Sequence, residues 1–381
     1  MKILFIDNTG LVSAGAFHSM VALIERLMKK GVVASVALPS FADGMDLLNE
    51  KHIRFFRFKP CSYSWMINKA SSKIEYLKMP LKKIVVFLGA VCLALYIKKN
   101  KIELVHENTS ACYIGYYAAK LSGVKHVWHI REFMEEDFNC EIWGGRKSLS
   151  CFSKSDAVVA VSQAIYRKYE NLIHPDIFKV VFNGIDVDRF YCPEHVIFEN
   201  NVVNILCVGR ITAAKGQICL IEAVGLLKKK GVNVKLFIAG EADDAYYNEV
   251  VTKIKVMNID DSVCFLGQRN DVDELYKKCD VFCMCSRAEA FGRVTVEAML
   301  SGCLVVGCNS GGTAEIIRND DTGLLFTPGD SKNLAEKIAY ALRHTQKMRK
   351  VAEKGQEYAL LNFNADKNAN EIFSLYKSIL Q

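Results

Sequence analysis

Apolar runs of strand length alternate with helical patterns along almost the whole chain, and this alternation restricts the fold more than any other feature. Residues 2–7 form one such run. A glycine-containing loop at 8–16 and a helical pattern at 17–30 follow, Gly31 closes the helix, and residues 32–38 form the next run. Further runs fall at 53–56, 102–106, 124–130, 156–161 and 179–182. Past the turn Asn183-Gly184-Ile185-Asp186 the alternation resumes, with runs at 202–208, 234–239, 263–266, 281–284, 304–306 and 323–326. Strands separated by helices pair in parallel, because the helix carries the chain back to its starting edge. The sequence therefore predicts an α/β protein of two doubly wound halves. An N-terminal domain is expected at 1–190 and a C-terminal domain at 191–362, with a terminal helix at 363–381 packing back on the first. The 381 residues suffice for two cores of ordinary size. Ligands of such sheets bind outside the carboxyl ends of the strands, so a cleft between the halves would receive both edges.

Composition excludes several classes. Hydrophobic residues make up 51% and charged residues 24%, which rules out a disordered or fibrous chain. The fourteen cysteines are scattered, none in a Cys-x-x-Cys pair, and read as free thiols of a reducing compartment. The start, Met-Lys-Ile-Leu-Phe-Ile-Asp, turns acidic too soon for a signal peptide. A cytoplasmic location is expected. No Asp or His cluster has metal-ligand spacing, so neither metal nor cofactor is expected.

The net charge of +7 is unevenly spread: between 51 and 101, twelve Lys or Arg residues face one acid, Glu75. Residues 84–97 inside that stretch carry no charge and are bracketed by Lys82-Lys83 and Lys98-Lys99. This run is too short to span a bilayer, which needs about 20 apolar residues. It reads as a buried helix of a sheet-covering layer. Alternatively the region, with Trp65, Met66 and the lysines around them, lies on an anionic membrane surface, peripheral to the inner face of the cell membrane. Both hold if the helix is core and its basic neighbours face lipid. No recognition motif accompanies the charge, so nucleic acid is not an expected partner.

Chemistry concentrates at 286–299, Ser-Arg-Ala-Glu-Ala-Phe-Gly-Arg-Val-Thr-Val-Glu-Ala-Met. The strand-like run at 281–284 precedes it, so Glu289 falls on a loop and Glu297 on the helix that follows. Amides at that helix start favour an anion. Arg210 follows a strand and Gly209, and Lys215 precedes Gly216, so both cations are expected at the same edge. Arg and Lys pair with phosphate oxygens, and a carboxylate can accept two hydrogen bonds from a ribose diol. A sugar nucleotide carries all these groups. Two glutamates could instead form an acid/base pair for glycoside hydrolysis, but the phosphate-directed cations argue against it. In the first half, His129, Arg131 and Glu132 end a strand, His106 ends another, and Glu136, Asp137 and Trp143 lie in loops that could meet an acceptor.

These residues carry a resemblance. The second half resembles the retaining glycosyltransferase family 4, also called glycosyl transferases group 1, of the GT-B fold. The family's Glu-x7-Glu signature stands as Glu289-Ala-Phe-Gly-Arg-Val-Thr-Val-Glu297. Val208-Gly209-Arg210, Lys215-Gly216, Gly240-Glu241 and Ser310-Gly311-Gly312-Thr313 match in the same order. The resemblance implies two Rossmann-like domains and transfer of a hexose from a nucleotide diphosphate sugar, UDP favoured over GDP, to a lipid-linked carbohydrate acceptor in surface polysaccharide or glycan assembly. By position, Glu297 resembles the residue holding the ribose hydroxyls and Glu289 the one facing the donor sugar. Arg210 and Lys215 match the cations on the diphosphate. Phe291, Gly292 and Arg293 would supply backbone donors, Val294 a contact near the phosphates, and His129 a contact near the sugar. Gly15 matches the N-domain glycine loop, although Ser13-Ala14-Gly15-Ala16 stands where the family pairs glycines. Two other readings remain: a sugar-nucleotide epimerase of the same architecture, and a non-catalytic membrane-associated assembly protein.

Overall fold

The computed structural model describes residues 1–71, 73–242 and 244–381. It divides into two compact units, Met1–Gly184 with Ala365–Gln381, and Ile185–Asn364. The boundary expected at 190 lies inside the second unit, at the end of the helix Val187–Phe190.

The first unit contains β1 (Lys2–Ile6), β2 (Val33–Leu38), β3 (Arg54–Arg57), β4 (Met66–Asn68), β5 (Leu104–Glu107), β6 (Lys125–Ile130), β7 (Cys140–Ile142), β8 (Ala157–Ala160) and β9 (Phe178–Val180). Seven strands form a parallel sheet in the order β3-β2-β1-β5-β6-β8-β9, while β4 and β7 pair antiparallel apart from it. Helices cover the sheet's faces, so its strands read as continuous apolar runs; β8, Ala-Val-Val-Ala, is wholly buried. The helix Gly15–Met28 buries Phe17, Met20, Val21, Ile24 and Leu27, the three- and four-residue spacing of a single face. Ser162 caps the helix Gln163–Tyr169, its hydroxyl accepting from the Ile165 amide at 3.2 Å. The terminal helix Ala365–Leu380 belongs to this unit: Ala369, Ile372 and Tyr376 join the core of β1, β2 and the helix Gly15–Met28. Burying each large side chain there contributes roughly 1.5–3 kcal/mol.

The second unit contains β10 (Val203–Val208), β11 (Val234–Ala239), β12 (Val263–Gly267), β13 (Val281–Met284), β14 (Leu304–Cys308) and β15 (Leu324–Phe326), parallel in the order β12-β11-β10-β13-β14-β15. Its core gathers Ile205, Cys207, Leu236, Val281, Cys283 and Val306 from the sheet, with Leu220 and Val224 from the helix Gln217–Lys229. All fourteen cysteines are free.

Two expectations change. The apolar run at 84–97 is the middle of a longer helix, Lys73–Asn100, and that helix is buried on one side only. Its 28 residues make it long and apolar enough to cross a membrane by length and composition. Trp65 is core rather than surface: it is 1% exposed and stacks on Tyr113 at 4.9 Å. The helix Asp244–Met257 had no clear sequence signal, since it buries only Tyr246, Val250 and Ile254.

Glu107 ends β5 inside the first unit. It accepts from the Tyr116 amide at 3.0 Å and faces His126 Nε2 at 3.4 Å. Burial pushes its carboxyl up to about 8, and burial takes the His126 imidazole down to about 3. The folded value of Glu107 lies above its ordinary 4.5. Between those values the folded chain keeps a proton that the unfolded chain has lost, so this group's contribution to stability declines as pH rises through the window. His126 acts oppositely, and its contribution declines as pH falls below the ordinary imidazole value. Glu107→Gln is expected to flatten the decline in stability between about pH 5 and 8, measured by urea unfolding at each pH. Equal slopes in parent and variant would exclude Glu107 as the source.

Candidate active site

The strand order of the second sheet reverses between β10 and β13, the place where such sheets bind ligands. Arg210 and Lys215 follow β10, and the loop bearing Glu289 follows β13. Two glycines fix these segments. Gly216 has φ +70°, and a β-carbon on it would lie 2.5 Å from the Cys285 carbonyl oxygen, so only glycine lets the Lys215 turn rest on the end of β13. Gly311, at φ +53°, packs the turn after β14 against Glu289, with a β-carbon falling 2.5 Å from the Glu289 carbonyl oxygen. The adjacent Gly312 amide donates to that oxygen at 2.7 Å.

The side chains then meet. Lys215 Nζ donates to Glu289 Oε1 in a partly buried ion pair. Gln217, fully buried, donates through Nε2 to the Arg210 carbonyl at 2.9 Å and holds the strand end, while the Arg210 side chain is exposed. Glu297 is 5% exposed and occupied at both oxygens: Tyr276 Oη donates to Oε2 at 3.2 Å, and Arg293 Nη2 to Oε1 at 3.3 Å. Burial, then the Glu297 charge, pushes the Tyr276 hydroxyl well up, so it stays a donor. Tyr276 was not legible as a site residue, being 21 positions from its partner. Arg293, expected to contribute its amide, meets Glu297 through its guanidinium.

Gly292, at φ +96°, precedes the helix Arg293–Leu300, whose first turn carries Val294. First-turn amides lack partners within their own helix. The buried hydroxyls of Thr295 and Thr313 lie 3.2 and 3.6 Å from where a Gly292 β-carbon would sit, and neither has a hydrogen-bond partner among the described residues. Phe291 points inward, 3% exposed, its ring edge-on to Phe363 at 5.8 Å. The site thus presents cations, amides and hydroxyls around two fixed carboxylates, a set suited to an oxyanion beside a diol. No group of three or more His, Cys, Asp or Glu placed to hold a metal occurs among the described residues.

The first sheet reverses between β1 and β5. At that edge Asp7 Oδ2 accepts from Asn108 Nδ2 at 2.7 Å, and Asn108 Oδ1 accepts from Arg131 Nε at 2.6 Å. Arg131 Nη1 also donates to Asn183. Arg131 Nη2 lies 3.2 Å from His129 Nδ1, and His106 Nε2 lies 3.2 Å from the same atom. A guanidinium only donates, so His129 Nδ1 accepts. His106 must then carry its proton on Nε2, leaving its Nδ1 to accept from Tyr376 Oη at 2.6 Å. Burial, reinforced by Arg131, holds both imidazoles well below their ordinary range, and both are neutral. This chain of bonds puts the His129 proton on Nε2, a buried donor with no partner among the described residues. Gly15 opens the helix Gly15–Met28 at an exposed position. Glu132 is structural: its Oε1 takes Thr109 Oγ1 at 2.6 Å and the Ser110 amide at 2.7 Å. Glu136 pairs with Lys168 at 2.6 Å. Trp128 is core, and Trp143 lies edge-on to Trp65 at 6.3 Å.

Sequence comparison finds two family profiles, Glycosyltransferase Family 4 over residues 14–189 and glycosyl transferases group 1 over 194–358. The chain is 27% identical over 237 residues to the N-acetyl-alpha-D-glucosaminyl L-malate synthase of Bacillus anthracis, covering 60% of this chain and 61% of that protein. It is 25% identical over 351 residues to an alpha-1,4-N-acetyl-D-galactosaminyltransferase of Campylobacter jejuni, covering 90% and 89%; that enzyme's name gives a diNAcBac-PP-undecaprenol-linked acceptor. Among solved structures, Anabaena HepE in complex with UDP and glucose superposes with TM-score 0.80 at 26% identity, covering 99% of this chain and 100% of that one.

Tyr376→Phe leaves the His106 Nδ1 buried without its donor. A loss of about 1–3 kcal/mol is expected, read as a Tm lowered by several degrees. Imidazole nitrogen shifts should still report the His129 proton on Nε2, because Arg131 remains. An unchanged Tm would remove Tyr376 from the relay.

Proposed function

As this chain belongs to glycosyltransferase family 4, the glycosyl transferases group 1, we propose that it is a retaining hexosyltransferase that takes its sugar from a UDP-sugar. The observation that carries this reading is the pair of carboxylates with unlike fittings. Glu297, fixed by Tyr276 and Arg293, suits a ribose diol, and Glu289, paired to Lys215, suits the donor sugar. The UDP and glucose bound to HepE support the choice of donor.

In the proposed reaction the bond from the anomeric carbon to the β-phosphate oxygen breaks, and the electron pair leaves with the nucleoside diphosphate. The acceptor hydroxyl attacks from the same face, and its proton passes to the departing phosphate oxygen. Configuration is retained and no protein base is needed. Arg210 and Lys215 stabilise the charge that develops on the diphosphate, commonly the largest catalytic contribution. These cations do that work without a metal. The buried His129 Nε2 proton is offered to a sugar hydroxyl. An acceptor carried on a lipid is supported by the named acceptor of the Campylobacter relative. A peripheral protein of the inner membrane face, in the cytoplasm, fits such an acceptor, and the free thiols fit a reducing compartment.

Glu297→Ala is expected to weaken UDP binding by about 2–3 kcal/mol, roughly thirty- to two-hundredfold, measured by calorimetry. Unchanged binding would overturn the assignment. Arg210→Ala should lower kcat by about 10²–10³ while the protein melts as before. The anomeric coupling constant of the product tests retention, and activity unaffected by a chelator tests metal independence. Conversion of the donor without acceptor would indicate an epimerase instead.

A further inference from the structure

The helix Lys73–Asn100 presents two apolar faces, and the fold uses one. Met79, Val86, Ala90, Leu93 and Ile97 are buried, recurring at the spacing of one helix side. That side packs on the helix Ile114–Ser122 and on the turn at Pro60. Gly89 allows the approach, since a β-carbon there would lie 2.7 Å from Pro60 Cβ. On the opposite side Leu77, Leu81, Ile84, Leu88, Val91 and Leu95 recur every three or four residues and are exposed. Leu77 is 76% exposed, Leu81 66%, Leu88 60% and Leu95 64%. At 1.5 Å per residue the row is about 27 Å long. Soluble monomers rarely leave so long an apolar row in water.

The charges around the row select its partner. Lys78, Lys82 and Lys83 stand at one end, and Lys98, Lys99 and Lys101 at the other. Lys78 and Lys82 share a single counter-charge, Glu75, at 2.8 and 3.5 Å. A second copy seated on this face would bring basic ends against basic ends. An anionic lipid surface would meet both the leucines and the lysines favourably. Crossing the bilayer is a poorer fit. The helix links β3 to β5 of one sheet, and a third of its most apolar stretch is buried against the unit. Threading it through a membrane would strip that packing.

We propose that the outer face of the helix Lys73–Asn100 docks the chain flat on an anionic bilayer, the leucine row entering the acyl boundary and the terminal lysines meeting lipid phosphates. The inference goes beyond the transferase reading, and its test needs no turnover, so either can fail alone. The test is co-sedimentation with vesicles of phosphatidylcholine, and of phosphatidylcholine mixed with phosphatidylglycerol. The chain should bind the mixed vesicles more tightly, and salt should weaken the binding. Joint Leu81→Asp and Leu88→Asp substitution should reduce binding by about tenfold or more, with melting unchanged. Joint Lys98→Glu and Lys99→Glu substitution should remove the preference for anionic vesicles. Vesicle binding by the leucine variant equal to the parent's overturns the proposal, as does no binding by the parent. Sedimentation equilibrium gives a further check: a dimer that the leucine substitutions dissolve, without vesicle binding, makes a second copy the occupant.

Discussion

Parallel pairing is the constraint on which the rest depends. A parallel neighbour can begin only after the chain has been carried back across the sheet, so every strand delivers its following loop to the same edge. Where the strand order reverses, neighbouring loops part and leave room. Each sheet here reverses once, between β1 and β5 and between β10 and β13. Polar residues that could not sit in either apolar core collect at those two places. In the first unit they are Asp7, Asn108, His129 and Arg131, and in the second Arg210, Lys215 and Glu289. The sites follow from the winding, and the glycines settle how closely the loops approach.

Burying so many polar groups is costly unless each is matched. Most are. Asp7, Asn108, Arg131 and Asn183 form a run of donors and acceptors with complementary ends. The exceptions are informative. Some, such as the Tyr113 hydroxyl and the Trp128 indole, are scattered in the core, but His129 Nε2 and the hydroxyls of Thr295 and Thr313 lie beside the loops of the candidate sites and have no partner among the described residues. Unmatched buried groups beside the place expected for a ligand are what a preorganised site leaves for that ligand.

Much of this was legible in the sequence. Strand runs such as 281–284 were clear because a parallel sheet covered on both faces needs unbroken apolar residues. The Glu289–Glu297 spacing was clear because loop and helix are contiguous. What stayed hidden depends on distance or on a second face. Tyr376 and His106 are 270 residues apart, and no local pattern joins them. Tyr276 carries no sequence signal of its own, and only the fold brings its hydroxyl to Glu297. The run at 84–97 is apolar on all sides, so periodicity could not say which side was buried. The helix Asp244–Met257 has too thin an apolar stripe to announce itself.

The place of the helix Ala365–Leu380 bears on how the protein is made. The second unit is continuous from Ile185 to Asn364, so it can close as soon as its last strand and helices have emerged from the ribosome. The first unit precedes it in sequence yet lacks its closing piece until residues 365–381 are synthesised. Until then the core lined by β1 and β2 stays open where Ile372 and Tyr376 will sit, and His106 waits for its donor. The unit that starts first is completed last, and a nascent chain cut short before Ala365 would lose the older half rather than the newer one.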